Sequence, residues 1–229
     1  ALYCACDVST RYRDRDAACD RVADYLAGMV AARTGNYIAF FPSYLYLDKV
    51  RVAFEERHPE IPVLIQQSAL DEAGREEFLA RFVPDPAQSL LGFAVLGGVF
   101  GEGVDLIGNR LIGAAVVGPG LPQVGARQEQ LRDYFERTRG SGFDYAYRYP
   151  GMNKVLQAAG RVIRTQEDRG VVLLIDDRFS APDYRRLMPP HWSHFAPVYG
   201  CEEFSRSLEQ FWHGFDDEEK TMLPEQENL

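Results

Sequence analysis

Apolar residues along this chain recur with two different periods. Short apolar runs fall at Leu2 to Val8, Tyr37-Ile38-Ala39-Phe40-Phe41, Pro62-Val63-Leu64-Ile65, Leu90 to Leu96, Leu111 to Val117 and Val171 to Ile175. Such runs predict strands, and those apolar throughout predict strands covered on both faces. Between them the spacing becomes helical. Ala18, Val22, Tyr25, Leu26, Met29 and Val30 mark a helix over Asp14 to Ala32, ended by Gly35. Further helices are predicted from about Tyr44 to Arg57, over Asp71 to Phe82, and from Pro150 to Arg164 with proline in the first turn. Leu121 to Arg139 is largely polar and is broken by Gly140-Ser141-Gly142. Strands alternating with helices predict βαβ units, hence an α/β domain with a mostly parallel sheet and helices on both faces. Residues 1–200 form this predicted domain and 201–229 a C-terminal helix and acidic tail, frayed after Asp216 where periodicity stops.

Composition narrows the class without changing the fold. At 229 residues and 46% hydrophobic, the chain suits one large domain with a sizeable core. No stretch approaches the ~20 apolar residues of a membrane span. Ala1-Leu2-Tyr3-Cys4 lacks the basic start and apolar run of a secretory signal, so the expected compartment is the cytoplasm. The net charge of −9 is uneven: residues 202–229 hold nine acids and two bases, a net −7, which leaves −2 for residues 1–201. Nucleic acid would therefore need a local basic groove rather than overall charge. The four cysteines, Cys4, Cys6, Cys19 and Cys201, include no CxxC pair. Cys4 and Cys6 alternate with Leu2 and Val8 and are expected to be small buried hydrophobes, a metal or disulfide role being the alternative. His191 and His194 with Cys201 sit in a proline-rich loop and are not expected to hold zinc.

Ligands in open α/β sheets bind beyond the carboxyl ends of the strands. Three segments offer chemistry there. Gly97-Gly98-Val99-Phe100-Gly101-Glu102-Gly103-Val104-Asp105 follows a strand, with glycines that permit close backbone approach and two carboxylates; it fits a ligand loop or a plain tight turn. In Gln157-Ala158-Ala159-Gly160-Arg161-Val162-Ile163-Arg164, helical spacing puts Gln157, Arg161 and Arg164 on one face. Two guanidinium forks and an amide suit a polyphosphate; the other reading is a solvated basic face paired with Glu167 and Asp168. Asp176-Asp177-Arg178 ends a strand in two acids, as magnesium-binding carboxylates do, but no phosphate-binding lysine loop accompanies it. Asp176 is expected to pair with a nearby arginine instead.

Taken in order, these segments resemble the second RecA-like lobe of superfamily 2 DNA helicases of the DinG/XPD type. Asn36 to Tyr44 resembles helicase motif IV, Gly98 to Asp105 motif V, and Tyr149 to Lys154 with Gln157 to Arg164 motif VI and its lead-in. Gly170 to Phe179 is similar to the strand that follows motif VI, and Ser9-Thr10-Arg11-Tyr12-Arg13-Asp14-Arg15 to the entry into this lobe. The resemblance covers roughly residues 9–190.

The resemblance implies a motor lobe that closes over ATP and Mg2+ held mostly by a first lobe absent from this sequence. Arg161 and Arg164 would act as arginine fingers, and Gln157 would orient the γ-phosphate or attacking water. Glu102, Gly103 and Asp105 would line the nucleotide side of the cleft. Ser43 and Tyr44 would contact single-stranded DNA, with 5′→3′ movement. An iron–sulfur cluster is implied as possible in the parent protein, and no metal is assigned to this chain. The chain is expected to be an excised lobe, inactive alone. The rival readings are a catalytically degenerate nucleotide-binding module and a protein-interaction lobe that docks a partner through the acidic tail and the Trp192/Trp212 segment.

Overall fold

The computed structural model describes residues 1–98, 100, 106, 108–162 and 169–222, with only the backbone described for 216–222. Seven parallel strands form one sheet: β1 (Leu2–Ala5), β2 (Asn36–Phe41), β3 (Val63–Ile65), β4 (Leu90–Val95), β5 (Gly113–Val117), β6 (Val171–Ile175) and β7 (Ala196–Val198). Their order across the sheet is β3-β4-β2-β5-β6-β1-β7. The helices are α1 (Arg15–Ala31), α2 (Tyr44–Arg57), α3 (Glu72–Ala80), α4 (Ala126–Arg139), α5 (Tyr149–Ala159), α6 (Pro182–Arg185) and α7 (Cys201–Met222). The α/β class and the parallel sheet stand as the apolar pattern predicts.

Alternation along each strand divides the core in two. Tyr3, Ala5, Tyr37, Ala39, Phe41, Ala115, Val117, Leu173 and Ile175 face α1, α2 and α7. Leu2, Cys4, Ile38, Phe40, Ala114, Val116, Val172 and Leu174 face α3 and α5. The side of each crossover follows from direction. The two that move toward β3 (β1 to β2, β2 to β3) cross the first face, whereas those that move toward β7 cross the second. One handedness of crossover requires this sorting. It makes two switch points, where neighbouring strands send their chains to opposite faces: around β2, and between β6 and β1.

The β6/β1 switch point is closed by a buried carboxylate. Asp176 is fully buried and accepts from the Thr10 backbone N–H at 2.9 Å, from the Thr10 hydroxyl, and from Arg178 Nε and Nη2 at 2.6 and 2.8 Å. Burial would raise its pKa, but Arg178 and Thr10 outweigh that and hold the carboxyl below its usual value. Asp176 therefore pairs with an arginine, as its sequence context suggests, and both its oxygens are occupied. Gly118, at φ +81°, passes so close that a Cβ would lie 2.6 Å from Thr10 Oγ1. Any other residue would meet both a strained backbone and this network.

Four features differ from the sequence expectation. Strand β7 pairs in parallel with β1 although its three residues include Pro197; an edge position tolerates the missing N–H. The polar segment becomes helical only at Ala126. Helix α7 continues past Asp216 to Met222, and its Phe204, Leu208 and Trp212 belong to the first core. Cys4 is buried as expected, but Cys6 is partly exposed.

Asp176→Asn should cost about 3–5 kcal/mol, since it leaves Arg178 buried without its counter-charge. A carboxyl with a lowered folded-state pKa contributes stability above its unfolded value of about 3.9 and loses it as pH falls through the folded value. Urea melts from pH 7 down to 2.5 should therefore show a smaller acid loss in the variant than in the wild type. Parallel curves would remove the pair from this role.

Candidate functional site

The candidate ligand-contacting residues that the structure describes fall at two places. The first is the carboxyl edge at the β2 switch point. Ser43 follows β2 and caps α2: its Oγ accepts from the Tyr46 N–H at 3.3 Å, which leaves its own proton free to be donated outward. Tyr44 is exposed on one side, and its hydroxyl accepts from Gln66 Nε2 at 2.8 Å. Gln66 is itself buried and takes the Val95 N–H at 2.7 Å, so Tyr44 is braced against the end of β4.

Beside Ser43 lies a pocket of about 120 Å³, lined also by Tyr12, Arg15, Asp16, Tyr46 and Lys49. The guanidinium of Arg15 stands 5.2 Å from the Tyr46 ring centre and 6.0 Å from that of Tyr12, and its Nε donates to the Thr10 carbonyl at 3.1 Å. Tyr12 is 86% exposed. Lys49 pairs with Asp16 across the opening, both well exposed, which is a weak and salt-sensitive contact. The amino ends of α1 and α2 both open here, adding partial positive charge. An exposed aromatic ring, two cations, a hydroxyl and helix amino ends suit a phosphate–base chain bound without sequence reading. Sequence reasoning singled out Ser43 and Tyr44 but did not name Tyr12, Arg15 and Lys49 as their neighbours; the signal available for the first two was the arginine–tyrosine alternation from Arg11 to Arg15.

The second place is the face covered by α5. The loop after β4 and helix α5 share the second core, where Phe100 and Leu106 lie with Met152, Val155, Ala158 and Val162. Contact is close at two points. A Cβ on Gly97 would lie 3.0 Å from Lys154 Cδ and Cε, and one on Gly151 would lie 2.4 Å from the Pro119 carbonyl. The start of α5 is thus clamped against the β5 end, with Lys154 drawn over Gly97.

Gln157 is exposed near the end of α5. The helix does not carry Arg161 on the stripe that the sequence predicts. It stops at Ala159, Gly160 caps it through an N–H to the Leu156 carbonyl at 2.9 Å, and Arg161 and Val162 follow in tight turns to Ala158 and Ala159. Glycine at that point ends the helix because it has little to hold it there. A crossover helix also runs against its strands, so Val162 arrives near Gly170 and Ile112 at the amino ends of β5 and β6. Arg161 is half-buried in this turn, and not at the carboxyl edge with Ser43. Glu102, Gly103, Asp105 and Arg164 lie outside the described residues.

Metal chemistry finds no support at Asp176, whose oxygens are fully engaged. Among the described residues no group of three or more metal-ligating side chains converges. Of the residues in the interaction-lobe reading, Trp212 is buried under Arg33 and in the first core.

Comparison with known proteins bears on the family and the fold. The helicase C-terminal domain family matches residues 26–195. The XPD helicase subunit of the general transcription and DNA repair factor IIH from Schizosaccharomyces pombe is 28% identical over 175 residues, covering 66% of this chain and 21% of that protein. A regulator of telomere elongation helicase 1 homolog from Aedes aegypti is 31% identical over 204 residues, covering 77% of this chain and 20% of the relative. The chain thus spans about a fifth of these relatives. A solved structure of apo XPD superposes with a TM-score of 0.70 at 21% identity, covering 86% of this chain and 39% of that one. The C-terminal domain of the DEAD-box protein Dbp5 gives 0.52 at 14% identity, covering 91% of this chain and 96% of that domain. With the motifs in order on a parallel sheet of this topology, the chain belongs to the helicase C-terminal domain family and is a RecA-like lobe of the DinG/XPD type.

Proposed function

We propose that this lobe is the closing half of an ATP-driven, single-strand-translocating DNA helicase. The observation that carries the reading is the pairing of two sites on one continuous sheet: a basic, aromatic edge around Ser43 and a guanidinium-bearing turn at the end of α5. Both belong to segments in which the helicase motifs were read.

In this reading the first lobe of a longer protein holds ATP, and this lobe closes on it. Arg161 and Arg164 supply positive charge to the γ-phosphate as charge builds there; arginine fingers in related nucleotide hydrolases contribute about 10³–10⁵ in rate. Gln157, exposed on α5, orients the attacking water. Glu102, Gly103 and Asp105 line the nucleotide side. Magnesium bound with the nucleotide would supply charge neutralisation at the phosphates; Asp176, with both oxygens engaged by Thr10 and Arg178, would not hold it. Ser43 donates its hydroxyl proton to a backbone phosphate, Arg15 and Lys49 add charge, and Tyr44 and Tyr12 offer ring faces to bases. Each closure advances the lobe along one strand, 5′→3′.

DNA-stimulated ATPase of the longer protein with both lobes tests this first. Arg161→Ala and Arg164→Ala should each lower turnover by about 10³-fold or more while ATP binding persists. Unchanged turnover would remove the finger assignment. The 229-residue chain alone should hydrolyse no ATP, and turnover in it that is lost in Arg161→Ala would contradict the two-lobe reading.

A second measurement isolates the edge site. Lys49→Glu in the two-lobe protein should weaken oligo-dT binding several-fold and lower the salt slope by about 0.7, the loss of one phosphate contact on a single strand. Ser43→Ala should weaken it less. An unchanged affinity and slope for Lys49→Glu would move the DNA path off this edge.

A further inference from the structure

The sequence carries one feature that the motor reading leaves unused, the Cys4-x-Cys6 pair at the end of β1. The two sulfurs lie 3.5 Å apart, in contact. Cys4 is fully buried on the second face of the sheet, with Sγ 3.6 Å from the Asp176 carbonyl oxygen. Cys6 has left the strand and is partly exposed; its backbone N–H donates to the Val198 carbonyl at 3.0 Å. One thiol can therefore be reached from solvent while its partner waits behind it.

Their chemistry is divided in the same way. Hydrogen bonding from Cys4, with lesser help from Ser180 and the backbone at Val198, brings the Cys6 thiol down to about 7 against the cost of burial. Cys4 is pushed far up, first by its bond to Cys6 and then by burial, and stays protonated. The other two cysteines differ. The Cys19 thiol donates to the Arg15 carbonyl at 3.2 Å and is raised by burial. Burial pushes Cys201 up to about 11. The thiolate is the reactive form, so Cys6 is the nucleophile among the four.

We propose that Cys4 and Cys6 form a dithiol modification site that a hydroperoxide oxidises reversibly to an intramolecular disulfide. The Cys6 thiolate attacks one peroxide oxygen: an S–O bond forms, the O–O bond breaks, and the leaving oxygen takes a proton as water or alcohol. The sulfur gives up two electrons to become a sulfenic acid, and the peroxide is reduced. Cys4 sulfur then attacks Cys6 sulfur, the S–S bond forms, the S–O bond breaks, and the hydroxyl departs with the Cys4 proton as water. A dithiol reductant returns two electrons and two protons and restores both thiols. Cys4 is registered with Leu174 on β6 and Pro197 on β7, and the loop after Cys6 leads directly to Thr10, which holds Asp176.

The test is native-state oxidation of the 229-residue chain by hydrogen peroxide at pH 7.5, followed by alkylation and peptide mapping. The expected product is a peptide carrying Cys4 and Cys6 that has lost two hydrogens and resists alkylation, formed ~10-fold or more faster than any change at Cys19 or Cys201. Dithiothreitol should restore it. In Cys4→Ser, dimedone should trap Cys6 as its sulfenic acid; in Cys6→Ser, Cys4 should remain an unmodified thiol. The wild-type map stands even where a variant fails to fold, which circular dichroism would report. Cys4 and Cys6 remaining alkylatable while Cys19 or Cys201 oxidises, or Cys6 passing to sulfinic acid in the wild type, would overturn the proposal.

Discussion

The buried carboxylate of Asp176 is the point on which the architecture turns. In a parallel sheet every connection leaves from one edge, and strands β6 and β1 are neighbours whose chains depart to opposite faces. Such a parting leaves a crevice in which backbone donors have no ladder partner. Asp176 fills it, taking the Thr10 backbone and hydroxyl on one side and the Arg178 fork on the other. A buried, fully bonded ion pair adds little net stability over an apolar plug, but it is costly to half-remove. Its value here is positional: it fixes the entry segment from Ser9 to Arg15, and with it the Arg15 guanidinium that lines the β2 pocket.

That linkage explains which parts of the molecule were readable from residues alone. Strands β2, β4 and β6 were legible because burial on both faces demands apolar runs. Strand β7 was not, since three residues around Pro197 carry no period. The α5 segment was misjudged for a different reason. Spacing of four and three residues describes a helical face only while the helix lasts, and Gly160 ends it before Arg161. Periodicity reports faces and not endpoints. The pairing of Asp176 was legible because an acid at a strand end without a phosphate loop needs a cation, and Arg178 stands two residues on.

The candidate sites show the same limit. Ser43 and Tyr44 could be singled out by their motif, but Tyr12 and Arg15, from the entry to α1 about thirty residues earlier in sequence, are brought beside them only by the fold. Lys154 likewise meets Gly97 because α5 is clamped against the β5 end at Gly151. Residues that share a helix or a loop can be paired from sequence; residues that share a crevice need the crossovers to be known.

Charge then has to be judged by place rather than by sum. The chain is net negative, yet most of that excess lies in 202–229, and helix α7, in which this acidity begins, packs on the face of α1. The pocket edge, by contrast, gathers Arg15 and Lys49 with the exposed Tyr12, and only Asp16 offsets them within its lining. The Lys49–Asp16 pair is exposed and worth little in water, so a phosphate arriving at Ser43 can compete for the lysine at small cost. At a Debye length of about 8 Å, distant acids on the chain scarcely weaken that attraction. Net acidity therefore does not conflict with the proposed strand contact at this edge, because the fold fixes basic residues there, and the bond from Arg15 to the Thr10 carbonyl fixes the first of them.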